Sequence, residues 1–400
     1  MKIASRLAHT GEYYFSRKLR ELAALNAAGA NIISLGIGSP DLPPHPSVTA
    51  ALAATAALPT AHGYQGYQGT PALRGAMAAF YQRYYGVALD PATEILPLLG
   101  SKEGLMHIGM TFLEAGDAVL IPNPGYPTYR AVAEICGAEV REYALTAATG
   151  WLPDLEALAA TDLSLVKLML VNFPHMPTGT AADLPFLTRL VAFARQHDIL
   201  LVHDNPYGFI LNETPPVSLL AVPGAREVAI ELNSLSKSHN MAGWRVGLLA
   251  GRADVLADVL RFKSNMDSGM FLPVQQAAVA ALALGPEWFE ELNATYRARR
   301  ELVLTLLRAL GCEPAPGQTG LFIWAAVPAG FADGYALSDA VLAEARVFIT
   351  PGGIFGSNGL GYVRASLCQP ESLLHQALAR VQNVKKEHHA ERSAASRMGQ

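Results

Sequence analysis

Short apolar runs separated by amphipathic stretches fill the middle of the chain. Runs suited to buried strands fall at 95–99, 118–121, 166–171, 199–202, 228–232 and 246–250, with helical patterns at 103–114, 184–197 and 253–263 among them. Continuous apolar runs are what strands covered on both faces require. Their alternation with helices predicts an α/β unit built on a mostly parallel sheet. Beyond Gly285 the pattern changes to a long helix at 286–310, a strand at 321–327, a helix at 337–345, strands at 347–349 and 362–366, and a last helix at 370–384. That order is α+β and predicts a second, smaller domain. A helix over 12–28 stops at Gly29, a residue suited to the left-handed C′ position, and leads to a short strand at 32–35. This N-terminal segment is expected to join the C-terminal part. The expected division is therefore 46–284 for the large domain and 1–45 with 285–385 for a discontinuous small one. The polar stretch 386–400 has no clear period and is expected to be a solvated tail.

Composition narrows the function classes. Of 400 residues 51% are hydrophobic and 16% charged, with a formal net charge of −4. Such a chain can bury a large core, and it lacks the basic footprint of a nucleic-acid binder. The longest stretch without Asp, Glu, Lys or Arg, 42–73, is broken by Pro43, Pro44, Pro46, Pro59 and Pro71. No window offers the ~18 consecutive apolar residues of a spanning helix. The first fifteen residues contain no apolar core of a signal peptide. Cys136, Cys312 and Cys368 form no paired motif. A cytoplasmic protein without membrane or nucleic-acid partners is expected.

Ligands of open α/β sheets bind at the carboxyl ends of the strands, so chemistry is sought there. Asp204 follows the apolar run ILLVH and opens DNPYG, with Tyr207 three residues on. Asp at such a place either makes an Asx turn or presents a carboxylate to a ligand. Lys237 lies in SLSKSHNMAGWR between two apolar strands, flanked by Ser234, Ser236 and Ser238. Most lysines are solvated, but a desolvated one has a lowered pKa and attacks carbonyls. Arg245 adds a permanent cation eight residues later. GSKEG at 100–104, with Ser101 and Lys102, follows a strand and opens a helix, a place where backbone N–H groups favour anions. It is neither a Walker A loop nor a dinucleotide fingerprint, and a dehydrogenase is excluded on that ground. Arg364, in GYVRASL, either grips a carboxylate or forms a structural salt bridge.

Taken in order, GSPD at 38–41, HGYQGYQG and ALR at 62–74, GSKEG, NPGYPTY at 123–129, PTG at 177–179, DNPY, SLSK with Arg245, and YVR form a recognisable set. The chain resembles the fold-type I pyridoxal-phosphate enzymes of aminotransferase class I/II, in the subgroup with alanine and LL-diaminopimelate aminotransferases. The resemblance spans about 13–384 and implies a PLP-dependent transferase fold with a seven-stranded, mostly parallel sheet and a smaller α+β domain. It implies that Lys237 holds pyridoxal 5′-phosphate as an internal aldimine and shuttles the proton. Asp204 would pair with the pyridine nitrogen, Tyr207 donate to the ring's phenolic oxygen and Tyr126 stack on the ring. Ser101, Lys102, Ser234 and Arg245 would hold the phosphate, joined by Tyr64 from the neighbouring subunit of a homodimer. Arg364 would bind the substrate carboxylate, with Gly38 beside it. The reaction implied is ping-pong transfer of an amino group between an L-amino acid and a 2-oxo acid, with no metal.

One residue departs from the family pattern. Met176 stands where the family has Asn before PTG, which removes a donor to the phenolic oxygen and leaves Tyr207 alone or with Asn172 or Asn205. The expected consequence is a raised pKa of the internal aldimine. In relatives the segment FKSNMDSGMF lies near the partner's site, making Asn265, Asp267 and Ser268 contact candidates. Tyr14, Phe15, Ile37 and Tyr67 are candidates for an apolar side-chain pocket. The nearest alternative on the same residues is a PLP-dependent C–S β-lyase. A non-enzymatic sensor fused to a DNA-binding module finds no room in the chain.

Overall fold

The computed structural model describes residues 3–7 and 14–398. The expected helix start at Glu12 lies outside them, and the helix runs Tyr14–Ala27. A short strand β1 (Ile33–Ser34) follows. The central sheet is made by β2 (Ile95–Leu98), β3 (Ala118–Asn123), β4 (Glu139–Ala144), β5 (Val166–Asn172), β6 (Leu200–Asp204), β7 (Ala229–Ser234) and β8 (Gly247–Gly251). Its order is β2-β8-β7-β6-β5-β3-β4, and β8 alone runs antiparallel to its neighbours. Six of the seven strands coincide with the apolar runs to within a few residues. The seventh, β4, is an edge strand of sequence EVREYA in which only Tyr143 is buried. An edge strand half open to water needs no continuous apolar run.

Apolar residues on the two faces of the sheet enter two separate clusters. Leu96, Leu98, Ile121, Leu168, Val202 and Leu232 pack on one side with Leu105, Ile108 and Val259. Met169, Val171, Leu201 and Leu248 pack on the other with Phe80, Leu187 and Leu190. This is the helix-covered parallel sheet that the pattern predicted. Local chemistry sets the helix ends: Thr70 caps Pro71–Tyr85, and Asp183 caps Leu184–His197.

The remaining strands are β9 (Glu313–Pro314), β10 (Phe322–Ala326), β11 (Val347–Phe348), β12 (Thr350–Pro351) and β13 (Tyr362–Ser366). They form a separate antiparallel sheet, β12-β13-β10-β9, while β11 pairs in parallel with β1. Arg299 on the helix Pro286–Ala309 clamps Asp41 through its two terminal guanidinium nitrogens, at 2.6 and 2.9 Å. The N-terminal loop is thus fastened to the C-terminal part by backbone and ion pair alike.

The last helix corrects one expectation. It was predicted to end near Val384, yet it runs Glu371–Met398 through most of the polar stretch. That stretch holds Ala, Glu, Lys and Arg without Gly or Pro before Met398, so helix propensity continues it where amphipathic contrast is lost. Among the described residues no helix is long and apolar enough to cross a membrane.

Candidate active site

Strand polarity brings the candidate residues together. Asn172 ends β5 opposite Asp204 at the end of β6, and Ser234 ends β7 opposite Gly247 at the start of β8. Because β8 is antiparallel, the turn Ser234–Arg245 folds over the same sheet edge as the carboxyl ends of its neighbours. Around that edge lies a cavity of about 720 Å³. It is lined by Ser101, Lys102, Tyr126, Asp204, Tyr207, Ser234, Lys237, Arg245, Arg364 and Gly38, every expected site residue except Tyr64. Tyr64 is 93% exposed and does not line its own chain's cavity.

Asp204 is the best-defined member. It is buried, and Oδ2 accepts a hydrogen bond from the Tyr129 hydroxyl at 2.9 Å. Oδ1 is equally shielded and has no partner within the protein. Burial lifts the carboxyl to about 6, against the pull of the Tyr129 hydrogen bond. A buried carboxylate oxygen without a donor is expensive, and a protonated ring nitrogen of a ligand would supply the missing donor. Asn172 fixes the backbone here: Nδ2 donates to the Asp204 carbonyl at 2.6 Å, and Oδ1 accepts from the Met176 N–H at 2.7 Å.

Lys237 sits on a one-turn helix capped by the Ser234 hydroxyl, and its ammonium donates to the carbonyl of Gly38. Burial lowers its proton affinity, and Arg364 and Arg245 push the same way. A lysine so placed is primed to lose its proton and act as a nucleophile.

Anion-binding groups gather a short way along the edge. The helix Ser101–Phe112 begins at Gly100, whose φ of 97° only glycine adopts readily, and an added Cβ there would run into the Arg245 guanidinium. Arg245 itself holds a left-handed φ of 56° and donates to the Ala242 carbonyl at 2.8 Å. Its other close neighbour is the Ser236 hydroxyl, at 3.5 Å. Burial, with Arg245 nearby, lowers the Lys102 ammonium below the ordinary lysine value. A helix N-terminus, an arginine and serine hydroxyls form a cradle suited to a phosphate.

Across the cavity Arg364, 4% exposed, is sandwiched by aromatic rings, with Phe322 at 3.9 Å and Phe355 at 4.6 Å from its guanidinium carbon. It donates to the Gly36 carbonyl at 2.6 Å and contacts Met176 Sδ at 3.1 Å. Gly38 lines the same cavity as Arg364, and the carbonyl that accepts from the guanidinium is that of Gly36. The carbonyl of Gly38 belongs to Lys237, and a Cβ at Gly38 would strike the Phe322 ring that stacks on Arg364.

Other expectations fared unevenly. Phe15 and Ile37 line the cavity, joined by Ser16 and Leu19 on the helix Tyr14–Ala27. Tyr14 instead packs on Phe15 and Tyr335, and Tyr67 is surface-exposed. Asn265, Asp267 and Ser268, expected near a partner's site, lie outside this chain's own cavity, and Asp267 pairs with the buried Lys263 at 2.8 Å. Tyr129 and Ser236 were missed as site residues. Tyr129 stands three residues after Tyr126 within NPGYPTY, a spacing that brings the two rings to 5.6 Å at a helix start, and that was a usable signal.

The profile of the family "Aminotransferase class I and II" matches residues 30–381. The chain belongs to that family. It is 39% identical over 387 residues to an LL-diaminopimelate aminotransferase of Dehalococcoides mccartyi, covering 96% of this chain and all of that one. It is 41% identical over 385 residues to an LL-diaminopimelate aminotransferase of Moorella thermoacetica, covering 96% and 98% of the two chains. Among solved structures, apo-BacF of Bacillus subtilis superposes with a TM-score of 0.92 at 38% identity, over 96% of this chain and 98% of that one. The protein is a pyridoxal-phosphate-dependent aminotransferase of fold type I, acting on an amino acid and a 2-oxo acid, and amino-group transfer prevails over C–S lysis. The residues present fit the cofactor: the partnerless Oδ1 of Asp204 suits the ring nitrogen, and the cradle around Gly100 suits the phosphate.

Proposed function

We propose that this aminotransferase uses Lys237 as attachment point and proton carrier, Asp204 as partner of the cofactor's ring nitrogen, and Arg364 as the clamp on the substrate α-carboxylate. The partnerless, buried Oδ1 of Asp204 carries this reading. Bound pyridoxal phosphate supplies an electron sink for charge developing at the substrate α-carbon. Asp204 holds the ring-nitrogen proton that makes the sink effective. Lys237, with its lowered proton affinity, would take the α-proton and return it on the same face across the C–N linkage. Ser101, Lys102, Ser234, Ser236 and Arg245 hold the phosphate, Tyr126 covers the ring and Tyr207 donates to its phenolic oxygen. Phe322 and Phe355 keep the Arg364 fork planar and dry, which favours bidentate carboxylate binding.

We further propose a cytoplasmic homodimer in which Tyr64 completes the partner's phosphate site. Its exposure, within a patch that also shows Tyr67, Met266 and Phe271, supports this. The two-domain division at 45/46 and 284/285 belongs to the same proposal. It is supported by the separate antiparallel sheet and by the pairing of Ile33 with Val347.

For the amino donor we propose LL-diaminopimelate, on the strength of near-full-length relatives bearing that name. A second donor class, amino acids with apolar side chains, is favoured by Phe15, Leu19 and Ile37 on the cavity wall. Single-turnover assays with each donor distinguish them. Faster cofactor conversion by LL-diaminopimelate upholds the first reading, and faster conversion by leucine or phenylalanine replaces it with the second. Borohydride reduction followed by peptide mapping tests the lysine: the label belongs on Lys237, and a label elsewhere overturns its role.

A further inference from the structure

We infer that His203, donating through both ring nitrogens, is an imidazolium which, paired with Glu231, favours the ionised form of the neighbouring Asp204 carboxyl. His203 immediately precedes Asp204 on β6 and is 1% exposed; Glu231 faces it from β7 and is fully buried. Nδ1 of His203 lies 2.8 Å from Glu231 Oε2, and Nε2 lies 3.1 Å from the Phe173 carbonyl oxygen. Both neighbours are acceptors. Only the doubly protonated ring donates to both.

Glu231 is saturated in the complementary sense. Oε1 accepts from the Tyr81 hydroxyl at 2.8 Å, and Oε2 accepts from the Ser218 hydroxyl at 3.0 Å and the Leu219 N–H at 2.9 Å as well as from His203. Burial pushes the Tyr81 phenol well above its ordinary value, so it remains a donor. Ser218 and Leu219 both donate to Oε2 whatever the state of His203, so the hydrogen between that oxygen and Nδ1 is assigned to the imidazole. A buried ion pair is tolerated when both partners are fully hydrogen-bonded, as these are. His175 and His239 show the other outcome: both are buried, each has an Nε2 without a partner, and burial pulls each down to about 3.

Successive side chains of a strand point to opposite faces, so His203 stands behind Asp204, away from the cavity. On the cavity side Asp204 faces the phenols of Tyr129, Tyr126 and Tyr207, and the cation Lys237. Burial lifts Asp204 to about 6 even with the Tyr129 hydrogen bond, His203 and Lys237 drawing it down, so removing the cation one residue away lets the carboxyl rise further. His203 acts through Asp204 and is a positioning residue. Its effect on the cofactor rests on Asp204 as the ring-nitrogen partner.

The test uses ¹⁵N-histidine-labelled holoenzyme, with the His203 resonances assigned by their loss in His203→Gln. Both ring nitrogens of His203 are expected to stay protonated from pH 6 to 9; a single protonated nitrogen at neutral pH overturns the inference. This readout is independent of the role of Asp204. Binding of pyridoxal phosphate is then measured against pH for wild type, His203→Gln, the double variant His203→Gln/Glu231→Gln, and Asp204→Asn. Raising Asp204 by about one unit weakens binding roughly fivefold at pH 6 and not at pH 9. The double variant is expected to show that profile even where His203→Gln folds poorly with Glu231 left unpaired. Equal loss at both pH values, or none, overturns the electrostatic role. If Asp204→Asn binds as wild type does, the Asp204 reading itself fails.

Discussion

The hydroxyl of Tyr129 donates to Oδ2 of Asp204 at 2.9 Å and leaves Oδ1 of the same carboxylate buried with no donor. One oxygen is thereby spoken for by the fold and the other kept for a ligand. Tyr129→Phe removes the donor that holds the carboxyl down, so Asp204 rises further above about 6. Cofactor affinity at neutral pH is expected to fall by about 1.5–3 kcal/mol, the range for a hydrogen bond to a charged group. Equilibrium dialysis of pyridoxal phosphate measures it, and unchanged affinity removes Tyr129 from the site.

The same shift makes a stability prediction for the cofactor-free protein. The folded-state pKa of Asp204 is raised to about 6, so the folded chain binds the proton more tightly than the unfolded one. Its stabilising effect is full below the ordinary Asp value near 3.8 and is lost as pH rises through about 6. Asp204→Asn, which cannot ionise, is therefore expected to be more stable than wild type by about 3 kcal/mol at pH 8, with most of the gain gone near pH 4. Urea unfolding at the two pH values checks this. An equal difference at both would contradict the burial of charge at Asp204.

Arg364→Lys keeps a positive charge but loses the planar fork and its stacking on Phe322 at 3.9 Å. We expect kcat/KM for the amino donor to fall roughly a hundredfold, about 3 kcal/mol, with most of the loss in KM. Steady-state kinetics reads it. A normal KM would place the carboxylate elsewhere.

Met176 touches Arg364 through its sulfur and offers only its backbone N–H, already given to Asn172. Restoring the family's residue with Met176→Asn adds a side-chain donor beside Tyr207. The pH midpoint of the bound cofactor's visible absorption band is expected to move down. A titration showing no downward shift would sink this reading of the departure.

Much of the site was legible because its chemistry sits in short, ordered motifs at strand ends. DNPY, SLSK and GSKEG each place one polar group directly after an apolar run, and the parallel sheet then gathers those ends at one edge. What lay across the fold was not legible. The Gly36 contact of Arg364 joins residues far apart in sequence, and no local pattern marks it. The helices Pro46–Ala56 and Leu272–Leu282 pack on each other, but their alanine-rich sequences give little contrast between faces. His203 read as one more residue of a buried strand until Glu231 was seen opposite it.

The most direct measurement is the absorbance spectrum of the purified holoenzyme before and after adding a single amino donor, with no oxo acid present. The structure predicts a visible band that is lost to an ultraviolet one as a stoichiometric amount of the matching 2-oxo acid appears, with Lys237→Ala failing to turn over. A visible band that persists while pyruvate and ammonia accumulate, or no visible band after incubation with pyridoxal phosphate, would contradict it.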